Sequence, residues 1–199
     1  MSMYDTQLAA IHDTAFRGPI EALAPWVLDL VEAVDSEETL VYDLGCGGGT
    51  LTLPLSDEEY DVIGVDISAA MLELAGNAAP EASFILGSIY ELTFAPCRAM
   101  VALGETLTYR VDGETPPRNR FFAAAYQALL PGGILVFDLI DQSVAENQAK
   151  HTFASGEGWV LCLDATIEGS VLTRSMIAFC EDEDADGVYH RADEVHRVD

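Results

Sequence analysis

The sequence predicts an α/β chain, in which an open and mainly parallel sheet with helices on both faces is followed by an antiparallel β meander. Three observations carry that prediction. Val41, Tyr42 and Leu44 form a short apolar run that breaks into four glycines within five residues, Gly45, Gly47, Gly48 and Gly49, which reads as strand, turn and helix. Further apolar runs, ending at Asp66, Leu86, Leu103 and Asp138, alternate with stretches of helical periodicity. From Trp159 onward the spacing changes to simple alternation, over 159–167, 170–180 and 188–198.

Taken in order, the chain opens with Tyr4, His12, Asp13 and Phe16, reactive or aromatic residues in a stretch too short for a core of its own. Pro19 suits the first turn of a helix in which Ile20, Leu23, Ala24, Val27, Leu28, Val31 and Val34 recur at helical spacing. Asp43 then sits at the carboxyl end of the first strand, where open α/β sheets bind their ligands. Glycine permits left-handed backbone angles and removes the Cβ that would hold a ligand away, so the loop after it suits a nucleotide-like cofactor. Thr50 to Leu55 reads as a short helix interrupted by Pro54. The second strand, 61–66, ends at Asp66, about twenty residues beyond the loop, where a ribose-binding carboxylate belongs.

Ser68 is a suitable N-cap for a helix with Ala69, Leu72 and Ala75 or Ala79 inward, stopped near Gly76 and Pro80. Ala82 to Leu86 is the third strand, and Ala99 to Leu103 the fourth, which runs into Gly104, Glu105 and Thr106. Thr115 and Pro116 suit the start of a helix striped by Phe121, Phe122, Ala125, Tyr126, Leu129 and Leu130. Pro131, Gly132 and Gly133 stop it and turn into the fifth strand, with Asp138 on the same rim as Asp43 and Asp66. The segment 142–158 reads as a polar, helix-like connection. Three antiparallel strands follow, the first two joined at Glu168-Gly169. The acidic run 181–187 is a solvated loop tip, since it lacks the twelve-residue layout and closing Glu of a calcium loop. Alternation puts Glu194 and His196 on one face.

Half of the 199 residues are hydrophobic, enough for one good core. Nine Lys plus Arg against thirty-four Asp plus Glu give a net charge of −25, and Lys150 is the sole lysine. Such a surface repels phosphate backbones and anionic lipid, so a small molecule is expected as partner rather than nucleic acid or membrane. Cys46, Cys97, Cys162 and Cys180 form no C-x-x-C pair, so no metal site or disulfide framework is indicated. The amino terminus has no basic region before an apolar run, and no segment nears eighteen consecutive apolar residues. A soluble, cytoplasmic protein is expected.

Asp43-Leu44-Gly45-Cys46-Gly47-Gly48-Gly49 resembles motif I of the class I S-adenosylmethionine-dependent methyltransferases, an acid, a hydrophobic residue, then G-x-G-x-G. The dinucleotide fingerprint would need a third glycine at Thr50, and a Tyr-x-x-x-Lys pair is absent, so NAD chemistry is disfavoured. Leu129-Leu130-Pro131-Gly132-Gly133 is similar to a late element of the same family. The resemblance spans about Tyr4 to Asp141. It implies a Rossmann-like core over 1–141, with amino-terminal lid helices, and an antiparallel meander over 142–199 as substrate, lid or dimer element.

The resemblance further implies S-adenosyl-L-methionine as cofactor, S-adenosyl-L-homocysteine as product, and direct in-line methyl transfer to a small molecule without metal. Cofactor contacts are then expected from Tyr4, Asp43, Gly45, Cys46, Gly47, Asp66, Ile67, Met71, Gly87, Ser88, Ile89, Leu103 and Gly104. At Ser88 the family usually carries an Asp against the adenine amino group. Glu105, His12, Tyr109 and His196 are the candidate base or substrate-orienting groups. The family's sheet is completed by two further strands after the fifth. Either the meander takes their place or the chain is a truncated product with an exposed or paired edge, and a homodimer through the meander is one expectation. The rival reading is a non-catalytic protein that binds the same cofactor.

Overall fold

Apolar runs of four to nine residues between helices build one sheet, and the alternating carboxyl-terminal segments build another. The computed structural model describes residues 6–111, 113–182 and 187–199. Strands β1 (Leu40–Leu44), β2 (Asp61–Asp66), β3 (Ser83–Leu86), β4 (Cys97–Ala102) and β5 (Leu129–Phe137) form a sheet in the order β3-β2-β1-β4-β5, and every pairing is parallel. All six residues of β4 are buried, as a central strand covered on both faces requires. Strand order reverses between β2 and β4 on either side of β1. A crevice therefore opens at the carboxyl ends of β1 and β4, beyond Leu44 and Ala102.

Helices α2 (Gly18–Glu32) and α3 (Thr52–Asp57) cover one face, where Ala24, Val27, Val31, Leu51 and Leu55 pack on Val41, Val62, Ala99 and Val101. On the other face Phe121 and Ala125 of α5 (Arg118–Ala128) join Tyr42, Leu44, Val65 and Met100. Helix α4 (Ala69–Ala78) is capped by Ser68, whose Oγ accepts the Met71 N–H at 3.2 Å. Buried Arg98 on β4 donates to the carbonyls of Val31, Glu32, Val34, Ser36 and Glu38. It thereby satisfies carbonyls at and beyond the α2 carboxyl end and places a cation there.

The second sheet is antiparallel, β6 (His151–Gly156), β7 (Trp159–Glu168), β8 (Val171–Glu181) and β9 (Tyr189–Val198) in sequence order. It does not extend the parallel sheet, so the alternative in which the meander takes the place of strands beyond β5 is corrected. It also has four strands rather than three. The expected polar connection is helical only in α6 (Gln142–Gln148), and 151–156 pair with 159–164. Two helix starts differ from expectation as well. Pro54 lies in the first turn of α3, where its missing N–H costs nothing. Helix α5 starts at Arg118 after Pro117, two residues later than Thr115 and Pro116 suggested. Residues 183–186 of the acidic run lie outside the described residues.

The two sheets are tied at definite places. Leu8 and Ile11 of α1 (Thr6–Ala15) are buried against Leu161, Met176, Ala178 and Ala192 of the meander. Asp199, just after β9, accepts from Arg110 at 2.5 Å and Arg118 at 3.2 Å, and Arg110 N donates to the Arg197 carbonyl. The meander and α1 thus roof the carboxyl rim of the parallel sheet.

Candidate functional site

The loop after β1 is shaped by glycine for two separate reasons. Gly45 and Gly47 have φ of +71° and +53°, left-handed values that a side chain disfavours. A Cβ on Gly45 would also lie 2.3 Å from Thr106 Oγ1, so the loop after β4 can close onto it only because the side chain is absent. Gly47 donates its N–H to Asp66 Oδ2 at 3.0 Å, and Ser68 N donates to Asp66 Oδ1 at 2.8 Å. Burial raises the Asp66 pKa, and these N–H groups oppose the rise.

Asp43 lies beneath the same loop. Thr52 Oγ1 donates to its Oδ2 at 2.6 Å, and burial, with the nearby Asp66 charge adding, pushes its pKa from 3.8 up to about 6. Cys46 is buried, and burial followed by the charges of Asp43 and Asp66 raises its thiol pKa far above the ordinary range. It is therefore a packing residue of the loop rather than a thiolate nucleophile. Ile67, Met71, Gly87, Ser88, Ile89, Leu103 and Gly104 line the same crevice as Asp66. Ser88 Oγ accepts the Tyr90 N–H at 3.3 Å, so part of its hydrogen-bonding capacity serves its own turn. Tyr4 lies outside the described residues.

Beside this half, six segments of the chain converge. Glu105, just after β4, has φ of +64°, unusual for a residue with a Cβ and costing of order 1 kcal/mol. Asp138, after β5, accepts the N–H of Gly104 at 3.1 Å and of Glu105 at 2.8 Å and so holds that turn. The Glu105 carboxylate faces Arg174 of β8, with Nη1 to Oε2 at 2.8 Å and Nη2 to Oε1 at 3.1 Å. Arg174 also donates to Gln148 at 2.5 Å and to the Tyr109 hydroxyl at 3.4 Å. His196 of β9 is buried, with Nε2 2.8 Å from Glu194 Oε2, and its ring stands edge-on to Tyr109. His12 of α1 is held near pKa 4 by burial first, then by the proximity of His196 and Arg174, so it is neutral at pH 7.

The structure thus brings Glu105, His12, Tyr109 and His196 together on one cavity of about 560 Å³, continuous with the glycine loop, Asp43 and Asp66. That size suits a drug-sized ligand. The other half is walled by Leu161, Leu163, Ala165 and Met176 of the meander. Sequence reasoning named none of Arg174, Gln148, Thr52 and Thr106 as site residues, although Thr106 stood in the run after the fourth strand. Arg174 carried a signal, because the inward positions of β8 read Leu172, Arg174, Met176 and Ala178, one charge in an apolar row. Gln148 and the threonines carried none. The described residues contain no cluster of three or more His, Cys, Asp or Glu that could hold a metal ion. No helix among them is long and apolar enough to cross a membrane.

Comparison with known proteins points to methyltransferases. Residues 41–133 match the methyltransferase domain family. Over 140 residues the chain is 28% identical to the 18S rRNA (guanine-N(7))-methyltransferase of Bos taurus, covering 66% of this chain and 50% of that protein. It is 29% identical over 190 residues to the carboxy-S-adenosyl-L-methionine synthase of Salmonella paratyphi C (strain RKS4594), covering 74% of this chain and 75% of the other. The chain therefore spans about half the length of the first relative and three quarters of the second. A solved S-adenosylmethionine-dependent methyltransferase from Clostridium acetobutylicum ATCC 824 is similar in fold, with TM-score 0.79 at 19% identity, over 96% of this chain and 80% of that one.

Proposed function

We propose that this chain, whose residues 41–133 match the methyltransferase domain family, transfers the methyl group of S-adenosylmethionine to a small molecule held beneath the meander. The observation that supports this most is the single cavity running from the glycine loop, past Glu105, to the apolar wall of Leu161, Leu163 and Met176. The residues fit the cofactor. Left-handed Gly47, with open space where a Cβ would stand, leaves the backbone open to close approach, and the buried carboxylates of Asp43 and Asp66 would face polar parts of the ligand. When bound, the cofactor supplies a methyl group already activated on a sulfonium.

The protein's work is then alignment, exclusion of water and handling of a proton. Asp66 would hold the ribose hydroxyls and Ile67 would pack on the adenine. The acceptor's lone pair forms a bond to the methyl carbon while the carbon–sulfur pair returns to sulfur. Glu105, fixed by Arg174 and Asp138, would orient the acceptor, neutral His12 would hydrogen-bond to it, and His196 would be the imidazole that receives its proton. A net charge of −25 argues against a polynucleotide acceptor, although two relatives are named as rRNA methyltransferases.

Isothermal calorimetry against S-adenosylhomocysteine, with NADH as control, tests the reading. One-to-one binding of the thioether, no binding of NADH, and loss of most affinity in Asp66→Ala are the expected results. Undiminished binding by folded Asp66→Ala would remove that residue from the site, and silence from both ligands would remove the cofactor assignment itself.

A further inference from the structure

Five acids line the cavity, Asp13, Asp43, Asp66, Glu105 and Asp138. Four of them are occupied by the protein. Asp43 accepts from Thr52, Asp66 from the N–H groups of Gly47 and Ser68, Asp138 from those of Gly104 and Glu105, and Glu105 is forked with Arg174. Asp13 is different: among the described residues none gives its carboxylate a hydrogen bond or an ion pair, although it is partly buried. Arg17, one turn further on, is paired with Glu21 at 2.6 Å.

Asp13 is nevertheless held in place. Leu8 and Ile11 bury the opposite face of α1 in the meander, and the Asp13 carboxylate rests on the glycine loop. A Cβ on Gly48 would lie 2.1 Å from Asp13 Oδ1 and 2.7 Å from its carboxyl carbon. Unlike Gly45 and Gly47, Gly48 has no left-handed φ, so its missing side chain serves the approach of this carboxylate and not the backbone. A partly buried, uncompensated carboxylate against a ligand-binding loop calls for a cationic group on the ligand.

Resting on the proposed cofactor, we propose that Asp13 binds the α-ammonium group at the amino-acid end of S-adenosylmethionine. Helix α1 is then the piece that reads that end, closing the glycine loop from above. The residue contributes to cofactor selection and takes no part in the methyl transfer.

The test compares S-adenosylhomocysteine with its desamino analogue, in which hydrogen replaces the ammonium group, by calorimetry on the full chain. The wild type should prefer the ammonium-bearing ligand by about 10- to 100-fold, the range of a hydrogen bond to a charged group. Asp13→Asn should erase that preference and leave the affinity for the desamino analogue within about twofold, as for a ligand that never made this bond. Gly48→Ala, whose methyl would take the space of the Asp13 carboxylate, should erase it too, and serves if Asp13→Asn does not fold. A preference retained in a folded variant, or absent in the wild type, overturns the proposal while leaving the cofactor assignment standing. Failure of the wild type to bind S-adenosylhomocysteine overturns both.

Discussion

Asp43 shows how a buried acid beneath the glycine loop sets its own stability cost. Its carboxyl is buried under the glycine loop and holds its proton to about pH 6, whereas an unfolded chain releases it near 3.8. Its contribution to stability is therefore full below about pH 3.8 and is withdrawn as pH rises through about 6, a change of about 3 kcal/mol. Asp43→Asn keeps an acceptor for Thr52 and removes the charge. It should match the wild type in urea unfolding near pH 3.5 and exceed its stability by roughly that amount at pH 7.5; equal stability at both pH values would refute the burial argument. Asp43 and Asp66 were legible in the sequence because each stands at the carboxyl end of an apolar strand run, about twenty residues apart. Arg174 and Gln148 were not, because their partners lie 69 and 26 residues away from Arg174 along the chain and only the packed sheets bring them together.

Helix α1 is the element on which the two halves of the cavity meet. It carries Asp13 toward the glycine loop, His12 toward Arg174 and His196, and Leu8 and Ile11 into the meander. His12 is held near pKa 4 against an ordinary 6.5, so its contribution is full above about pH 6.5 and is lost as pH falls through about 4. Acid should therefore loosen α1 before the parallel sheet. Amide exchange in residues 6–15, corrected for intrinsic rates, should speed up relative to β4 between pH 7 and pH 5, and His12→Gln should blunt the change. Equal acceleration in the variant would mean that another group drives it. The parallel strands and Ser68-capped α4 could be read from apolar runs and caps. Strand β6 could not, since His151, Thr152 and Phe153 are exposed and their pairing depends on the neighbouring β7.

At the scale of the whole molecule, charge governs how the surface behaves. A net −25 on 199 residues repels itself, and that repulsion is screened over about 10 Å at 0.1 M salt. The melting temperature should rise steadily between about 0.05 and about 1 M NaCl, as read by scanning calorimetry; a flat or falling curve would show that the acidic surface is already balanced by local pairing. The sequence by itself determined the α/β class, the order of the parallel strands' elements, the glycine loop and the two rim acids, because strand, turn and helix periodicities and the reach of a βα unit are local properties. It also determined the net acidity of the chain. Only the tertiary structure decided that the meander forms its own four-stranded sheet, and that Glu105, Arg174, His196 and His12 meet on one cavity. It alone left Asp13 facing the loop with no partner among the described residues. Those are contacts between segments far apart in the chain, and they are selected by which faces pack and which charges remain uncompensated.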